Sequence, residues 1–234
     1  MSPITVALTP KYNEIWQNCH NLGHEMIVST KIRRIFPTLE FQISGLDEKK
    51  SYKLSMHLER ADNKKYRFDN FTLSCTSCIS NEPMDPPKVV FHPRGPQTGE
   101  DWMLNSVSFG NVRITCSKQL EKESENYVHL LSGHRYQPVL MIYEEDKPVF
   151  VSKIEHMVFI FTTLYHNDGI RVYKRSMMLQ GMAPCPNPMD WNPVVLPHLE
   201  PNEAQDEDVD VDIINLPELE TDETEEEEDV DIVN

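Results

Sequence analysis

The sequence predicts an all-β sandwich or barrel followed by a separate acidic segment. Apolar residues alternate with polar residues in about eight short stretches between Pro37 and Arg175, and no long helical pattern interrupts them. All 22 lysines and arginines lie at or before Arg175, whereas residues 200–234 contain 17 acidic residues and no basic one. A chain of 234 residues is long enough for one large domain with an ample core and a terminal segment.

The first predicted element is an amphipathic helix that precedes the strands. Thr9 and Pro10 suit its N-cap and first turn, and Gly23 suits its end. The apolar residues recur with a period of 3.6 and fall on one face, which consists of Tyr12, Ile15, Trp16, Cys19 and Leu22. This face is expected to pack on the sandwich.

After Pro37 the apolar period changes to two, which indicates half-buried strands. The clearest strands are "LEFQISG" and "YKLSMHLE". Similar runs follow at "KVVFH", "NVRITC", "PVLMIYEE", "PVFVSKI", "HMVFIFTTLY" and "IRVYKR". The aromatic residues Trp16, Trp102, Phe159 and Phe161 fall on apolar faces and are predicted to lie in the core.

Composition also predicts where the domain ends. The domain is predicted to cover residues 5–188, because five prolines within residues 183–197 prevent a helix or a central strand from continuing. Residues 189–199 are interpreted as a proline-rich linker. Residues 200–234 are predicted to be a disordered acidic tail, since they contain too few apolar residues to offset the entropy of an ordered chain.

The charge distribution leaves an anionic partner open for the predicted domain. The chain has a formal net charge of -16 and a pI near 4.9. Residues 1–199 nevertheless carry 22 basic against 21 acidic residues, so the negative charge belongs to the terminal segment. A low pI therefore does not argue against nucleic acid as the partner of the domain.

Cysteine usage and the first residues predict a soluble intracellular protein that binds no membrane. Five scattered cysteines are typical of reduced thiols. The stretch "MSPITVALTPKYNEIW" lacks a basic start and a long apolar run, and no stretch of about 18 apolar residues occurs in the sequence.

Motifs for metal binding and catalysis are weak. "CTSC" gives Cys75 and Cys78 the spacing of zinc ligands, but no second Cys or His pair completes a tetrahedral set, so two loop thiols are favoured. The sequence contains neither a Gly-x-Ser-x-Gly turn nor a glycine-rich phosphate loop. We therefore expect a protein that is not an enzyme and that binds neither metal nor cofactor.

Two adjacent arginines, Arg33 and Arg34, follow Lys31 between the helix and the first clear strand. Side chains of neighbouring residues in an extended segment point in opposite directions, so one arginine at most reaches a given ligand surface. An arginine held there can donate two parallel hydrogen bonds to guanine O6 and N7 in the DNA major groove. The alternative is a surface ion pair with a glutamate, which the charge pattern alone favours.

Four motifs in order resemble the T-box family of DNA-binding domains. They are "GHEMIVSTKIRRIFPTLEFQISGLD", "HPRGPQTGEDWM", "LLSGHRYQP" and "TLYHNDGI", and the similarity covers roughly residues 5 to 183. The resemblance implies an immunoglobulin-like β-sandwich with short C-terminal helices that grips double-stranded DNA through both grooves at a guanine-rich half-site. It also implies a nuclear protein that regulates transcription, monomeric by default, with a dimer on palindromic sites as the alternative.

The resemblance also assigns roles to individual residues. Arg33 corresponds to the family's arginine in the major groove, and Arg34 and Lys31 lie beside it. Phosphate contacts are implied for Arg135, Thr163, Tyr165, Asn167 and Lys174. For Arg135 and the three residues of the late loop, the alternatives are solvent-exposed charge and turn capping.

The sequence departs from the family pattern at two places. Ile32 replaces the glycine that usually precedes the arginine pair. The family's terminal helix carries phenylalanines that enter the minor groove, and here the matching stretch "RSMMLQGM" has Met178 and Met182 in their place. These methionines suit either an apolar wedge between bases or the closure of the core.

The acidic tail contains two apolar runs bordered by acids, Val211, Ile213 and Ile214 in the first and Val230, Ile232 and Val233 in the second. This pattern resembles segments that add a strand to the modifier SUMO. There are two alternatives. One is a generic acidic tail that activates transcription through co-regulator proteins or keeps the protein soluble, and the other is a tail that folds back over the basic DNA face.

One function from another class stays open at this point. An acidic-tailed β-sandwich adaptor or histone-binding protein without specific DNA binding would show the same composition. The placement of Arg33, Arg135 and Lys174 distinguishes the two, since a DNA-binding domain needs them on one face.

Overall fold

Strands form most of the regular structure in the computed structural model, which describes residues 3–27, 31–69 and 74–181. Within these ranges the structure has fifteen strands: β1 (Thr5–Leu8), β2 (Glu25–Ile27), β3 (Arg33–Arg34), β4 (Glu40–Ser44), β5 (Ser51–Arg60), β6 (Lys64–Asp69), β7 (Ser74–Ile79), β8 (Val90–Phe91), β9 (Gln97–Thr98), β10 (Val107–Ser108), β11 (Arg113–Thr115), β12 (Tyr127–His129), β13 (His134–Glu144), β14 (Lys147–Lys153) and β15 (Phe159–Thr162).

The same residues contain four α-helices and one 3₁₀ turn: α1 (Pro10–Asn21), α2 (Gly99–Leu104), α3 (Lys118–Glu121), the 3₁₀ turn Glu155–Met157 and α4 (Asp168–Leu179). The predicted first helix is confirmed as α1, with Pro10 in its first turn and Ile15, Trp16 and Cys19 buried. Within the described part of the chain, no helix has the length and apolar composition needed to span a membrane.

Two long strands, β5 and β13, pair antiparallel at the centre of the largest sheet, whose strand order is β2-β15-β13-β5-β8. Strand β14 also pairs with β13, and β9 pairs with β5. The other described strands form the sheets β1-β4-β10 and β12-β11-β3 and the hairpin β6–β7. The alternation seen in the sequence directs one face of each main strand inward.

The core lies between the sheets and contains the inward faces of β4, β5, β13 and β15. Trp16 and Trp102 are fully buried in it, and Phe159 and Phe161 are almost fully buried, so the predicted core aromatics are confirmed. The indole nitrogen of Trp102 donates a hydrogen bond to the Tyr52 carbonyl at 2.9 Å. The predicted fold class, an immunoglobulin-like β-sandwich with an N-terminal helix, is confirmed.

One predicted strand is wrong. The run "IRVYKR" lies inside helix α4 and not in a strand. Asn167 caps this helix, and the buried residues Ile170 and Lys174 recur at helical spacing. Over only six positions, this pattern of apolar and basic residues fits both the two-residue period of a strand and the 3.6-residue period of a helix. The run alone therefore does not distinguish a strand from a helix.

The predicted tail and the predicted boundaries at 188 and 199 lie outside the described residues, and they stay predictions.

Candidate nucleic-acid interface

The two adjacent arginines form the short strand β3, which lies at one end of the sheet β12-β11-β3. Arg33 is half-buried and Arg34 is exposed, as expected for neighbours on opposite faces of a strand. Lys31 is exposed in the bend that precedes them. The structure therefore presents the cation of Arg34 to solvent and holds Arg33 nearer to the body of the domain.

A third arginine lies next to this pair. Strand β3 pairs antiparallel with β11, and in this register Arg34 lies opposite Arg113. Burial and the neighbouring positive charge of Arg34 lower the pKa of Arg113. The Arg113 guanidinium donates hydrogen bonds to the carbonyls of Gly110 and Val112, at 2.6 and 3.0 Å. We call Arg33, Arg34 and Arg113 the β3 cluster.

Arg113 is not predictable as part of this cluster from the sequence alone. Its place beside Arg34 depends on pairing between strands that are far apart in the chain, and the sequence gives no local signal for that register. Positive charges concentrated on one part of a surface attract an anionic partner. The β3 cluster is therefore a candidate contact surface for nucleic acid.

The loop between β15 and α4, residues 163–167, carries three of the predicted DNA contacts. Thr163 is exposed. Asn167 is the N-cap of α4, since its Oδ1 accepts the Ile170 N–H at 3.2 Å and its Nδ2 donates to the Leu22 carbonyl. In this structure Asn167 therefore makes the turn-capping contacts that the sequence left as an alternative to a phosphate contact.

Tyr165 connects this loop to the β3 cluster. Burial, with the negative charge of Glu25 adding to it, raises the pKa of Tyr165 to about 12. The positive charge of Arg33 acts on the same pKa in the opposite direction, so the two side chains lie within electrostatic range of each other. Arg33 and Tyr165 are therefore near enough for the charge of the arginine to affect the pKa of the tyrosine.

The loop is fastened by a buried carboxylate on β2. Glu25 is only 8% exposed, and its Oε2 accepts the backbone N–H groups of His166 at 2.8 Å and of Asn167 at 3.3 Å. A buried carboxylate that accepts two N–H groups fixes the backbone that carries them. Glu25 is a positioning residue for which the sequence contains no local signal.

Lys174, predicted to contact phosphate, is 6% exposed in the structure. Its ammonium group donates to the Glu25 carbonyl oxygen and lies 5.6 and 5.4 Å from the ring centres of Phe36 and Tyr165. Burial lowers the pKa of Lys174 to about 8. The lysine joins α4 to β2, and its contact with phosphate stays a prediction.

The outer face of α4 carries exposed basic and apolar side chains, in contrast to the buried Lys174. Arg171 and Arg175 are exposed, and Arg171 forms an ion pair with Asp168 at 2.9 Å. Val172 and Met178 are 63% and 37% exposed. Arg171 is not among the predicted contacts, because a strand period does not group it with them, whereas the helical period places it on one face with Arg175 and Met178. Met182 lies outside the described residues.

Arg135 lies on β13, opposite Ile160 of β15. Its guanidinium is 3.8 Å from the Asp62 carboxylate and 3.4 Å from the Tyr66 hydroxyl, and it lies over the Tyr66 ring at 5.6 Å. The side chain is still 39% exposed. A phosphate at this position would therefore compete with Asp62 for the guanidinium.

The hairpin β6–β7 packs on the loop between β15 and α4. The rings of Phe68 and His166 stack with their centres 4.6 Å apart and their planes inclined by 12°. Cys75 and Cys78 are exposed on β7, so they belong to a strand and not to a loop. Their separation of three positions directs them to opposite faces of the strand. No cluster of three potential metal ligands occurs among the described residues.

The model of the T-box family matches residues 8–177 of the chain. The chain belongs to the T-box family. The matched region begins at the last residue of β1 and ends within α4, so the T-box domain contains the β3 cluster, the loop 163–167 and most of α4.

Three similar proteins agree with the family model. The chain is 45% identical over 172 residues to a putative T-box protein 11 of Caenorhabditis elegans, covering 74% of this chain and 53% of that protein. It is 33% identical over 133 residues to the human T-box transcription factor TBX18, covering 57% of this chain and 21% of that protein. It is 30% identical over 179 residues to the T-box transcription factor tbx-8 of Caenorhabditis elegans, covering 71% of this chain and 56% of that protein. The T-box chain thus spans about half, or less, of the length of these relatives.

Proposed function

We propose that this T-box protein binds double-stranded DNA and regulates transcription, and that it is not an enzyme. The observation that carries the proposal is the β3 cluster, in which the exposed Arg34 lies opposite Arg113 within the matched T-box domain. The names of two relatives, both T-box transcription factors, support the same class of function. Such a role places the protein in the nucleus.

Within this proposal the cations have different tasks. Arg33 reads guanine in the major groove of a guanine-rich half-site, because a guanidinium can donate to O6 and N7 together. Lys31, Arg34 and Arg135 contact phosphates, which supply affinity without sequence preference.

The late loop and α4 complete the proposed surface. Thr163, Tyr165 and Asn167 face the backbone of the DNA, and Met178 with Met182 enters the minor groove as an apolar wedge. Lys174 contacts phosphate only if its ammonium leaves the Glu25 carbonyl, a contact that holds it inside the domain in this structure.

One observation favours the second candidate function, an adaptor or histone-binding protein without specific DNA binding. Two of the three cations that should share a DNA-binding face are engaged within the domain, Arg135 with Asp62 and Lys174 with Glu25. The proposed recognition of guanine then depends on Arg33 and on the two other arginines of the β3 cluster, Arg34 and Arg113.

Selection of binding sites from random duplex DNA with the full chain separates the two functions. We expect an enriched guanine-containing motif, and Arg33→Ala should weaken the preference at one guanine by about 1–3 kcal/mol. Lys49→Ala, at an exposed lysine in the turn before β5, serves as the control and should leave the motif unchanged. Absence of any enriched motif would support the adaptor function instead.

The acidic segment 200–234 is proposed to be a regulatory or interaction segment that recruits SUMO or co-regulator proteins through its two apolar runs. Binding of isolated SUMO to the full chain, measured by titration calorimetry, should disappear when Val211, Ile213 and Ile214 and the matching residues of the second run are replaced by alanine. A binding isotherm unchanged by these substitutions would remove SUMO as a partner.

A further inference from the structure

The connection between β7 and β8 runs over the surface and is unusually apolar. Strand β7 ends at Ile79, and β8 begins at Val90. Residues 83–87 of this connection read "PMDPP", and all five are exposed. Four of these five side chains are apolar, whereas loops of soluble domains are mostly polar. We call residues 83–87 the proline segment, and it has no role in the proposed DNA contacts.

The prolines restrict the backbone of this segment to an extended form. A proline holds its own φ at about −65° and restricts the residue before it to extended or polyproline II conformations. Between Glu82 and Pro87, only Met84 has neither restriction. In the structure, residues 83–89 make neither a turn nor a bend, and none of them has a positive φ. The proline segment thus has the features of a polyproline II helix.

Glu82 holds the segment at its N-terminal end. Its backbone N–H donates to the Ser80 hydroxyl at 3.2 Å, and its carbonyl accepts a hydrogen bond from the Arg60 guanidinium at 3.2 Å. Its carboxylate forms an ion pair with Lys65. The segment therefore starts from a fixed point on the domain.

Lys88 holds the other end. The residue is half-buried, and its ammonium group donates three hydrogen bonds to backbone carbonyls of α3, of β12 and of the turn between them. These carbonyls belong to Glu121, Ser124 and Tyr127, at 3.0, 3.0 and 2.8 Å. An ammonium group has three donors, so all of them are used within the domain. With both ends held, the segment has less conformational freedom to lose when a partner binds.

The position of Lys88 also indicates which sides of the segment face solvent. A polyproline II helix has three residues per turn, so Pro83 and Pro86 share one edge, and Met84 and Pro87 share the next. Lys88 belongs to the third edge, which its hydrogen bonds direct towards the domain. The two proline edges then face outward, in agreement with the exposure of all three prolines and with a Met84 side chain that is 55% exposed.

The segment also borders an open groove of about 830 Å³. The lining of this groove includes Pro83 and Pro86 together with Lys118 of α3 and His129 of β12. The domain thus leaves space along one flank of the proline segment, and a partner can reach the segment there as well as from its outer side.

A second pair of prolines has the same spacing but a different backbone. Pro93 and Pro96 are both exposed, and no third Pro-x-x-Pro pair occurs in the sequence. Between them, Gly95 has a φ of 66°, and its N–H donates to the His92 carbonyl at 3.0 Å. A turn with a positive φ is incompatible with a polyproline II helix. The two pairs are alike in sequence, but only the first has the extended backbone.

We propose that the proline segment binds an SH3-type domain. Such domains have a groove lined by aromatic side chains, which accepts Pro-x-x-Pro segments in the polyproline II conformation. Pro83 and Pro86 enter this groove, because they lie on one exposed edge at the required spacing. Met84 and Pro87 pack beside them on the neighbouring edge.

The charges of the segment narrow the choice of partner. Lys88 follows Pro86 by two positions, but its ammonium group is engaged within the domain, so the segment offers no cation to the partner at that end. Asp85 is exposed between the two prolines. A groove with a basic rim therefore fits the segment better than one with an acidic rim. The proposal does not rest on DNA binding.

An array of isolated SH3 and WW domains, probed with the full chain, tests the proposal. Titration calorimetry then measures the Kd of each domain that binds. We expect binding by SH3 domains whose groove has a basic rim. Pro83→Ala and Pro86→Ala should each weaken this binding about tenfold, because each removes a side chain that occupies the groove.

Matched controls show whether the contact belongs to the proline segment. Pro93→Ala changes an exposed proline with the same spacing but in a turn, so it should leave the Kd unchanged. A synthetic peptide of residues 80–90 should compete with the full chain for the same domain, and the same peptide with alanine in place of Pro83 and Pro86 should not. This competition does not depend on the folding of any variant, and thermal unfolding shows whether each full-length variant is folded.

Four results would overturn the proposal. These are binding by no SH3 domain, binding by WW domains alone, a Kd that Pro83→Ala and Pro86→Ala leave unchanged, and an equal loss of affinity in Pro93→Ala. An unchanged Kd in the first two variants would place the contact elsewhere in the chain, with the proline-rich residues 183–197 as the next candidate.

Discussion

Strand β3 and helix α4 both carry cations that the sequence predicts to touch DNA, but the structure treats these cations differently. On β3, Arg34 reaches solvent opposite Arg113, and its positive charge lowers the pKa of that arginine. On α4, Lys174 is buried between Phe36 and Tyr165, with its ammonium bonded to the Glu25 carbonyl. Strand β3 has only two residues and lies at the end of its sheet, so few neighbouring residues can cover its side chains. A helix that packs on the domain buries about one in three or four of its residues.

Two cations with the same predicted role can therefore differ in function: an exposed one is available to bind a ligand, whereas a buried one contributes to stability. If this interpretation is right, changes around Lys174 alter the free energy of unfolding, and changes at Arg34 alter DNA binding.

Glu25→Ala should have the largest effect, a loss of about 3 kcal/mol in the free energy of unfolding. It leaves the N–H groups of His166 and Asn167 without their acceptor and removes a negative charge close to the Lys174 ammonium. Glu25→Gln keeps an acceptor oxygen and should cost less. Urea unfolding measures both variants, and a loss below 1 kcal/mol for Glu25→Ala would mean that α4 is held in place by other contacts.

Asn167→Ala should cost about 1–2 kcal/mol, because it removes the N-cap of α4. Asn167→Asp retains the oxygen that accepts the Ile170 N–H but loses the donation to the Leu22 carbonyl, so its cost should be smaller. The comparison of the two variants by thermal unfolding separates the cap from the contact with α1. Equal costs would show that the cap itself contributes nothing.

Much of the fold was predictable because its signals are local. The alternation in β4 and β5 and the apolar face of α1 each depend on residues close together in the sequence, and the structure confirms these elements. Helix α4 was mistaken for a strand because its six-residue core fits both periods. The cap at Asn167 was the better signal, since a side chain that bonds the backbone three residues later begins a helix.

The candidate site was less predictable for a different reason. The sequence places Arg33 and Tyr165 in separate motifs, and only in the folded chain does the charge of Arg33 act on the pKa of Tyr165. The roles of Arg113, Glu25 and Lys174 depend on strand register and on burial, which are products of the whole packing arrangement. The resemblance of motifs assigns a position to Lys174, but it does not report whether the ammonium is exposed.

Lys174→Met should change how stability depends on pH. Burial lowers the pKa of Lys174 from 10.5 to about 8, so above pH 7 the unfolded chain binds more protons than the folded one. Stability therefore rises with pH as the folded lysine loses its proton. Between pH 7 and pH 9 the natural protein should gain about 1.4 kcal/mol relative to Lys174→Met.

Chemical unfolding of both proteins at several pH values measures this difference. Methionine has a similar volume and no charge, so the packing of α4 is retained. Burial raises the pKa values of Cys19 and Tyr165 to about 12, and loss of the Lys174 charge raises that of Cys19 further, so both groups stay protonated between pH 7 and pH 9 in either folded chain. Parallel stability curves would show that the lysine is not buried in solution.

Arg34→Ala should change stability least, by less than about 0.5 kcal/mol, because the side chain is exposed and its removal relieves the repulsion on Arg113. Its effect should appear in DNA binding, where the slope of log K against log salt concentration should fall by the equivalent of about one phosphate contact. Unfolding measurements and binding isotherms at several salt concentrations test both halves together. A loss of stability above 1 kcal/mol with an unchanged salt slope would place Arg34 with Lys174 as a structural residue, and the contrast between β3 and α4 would fail.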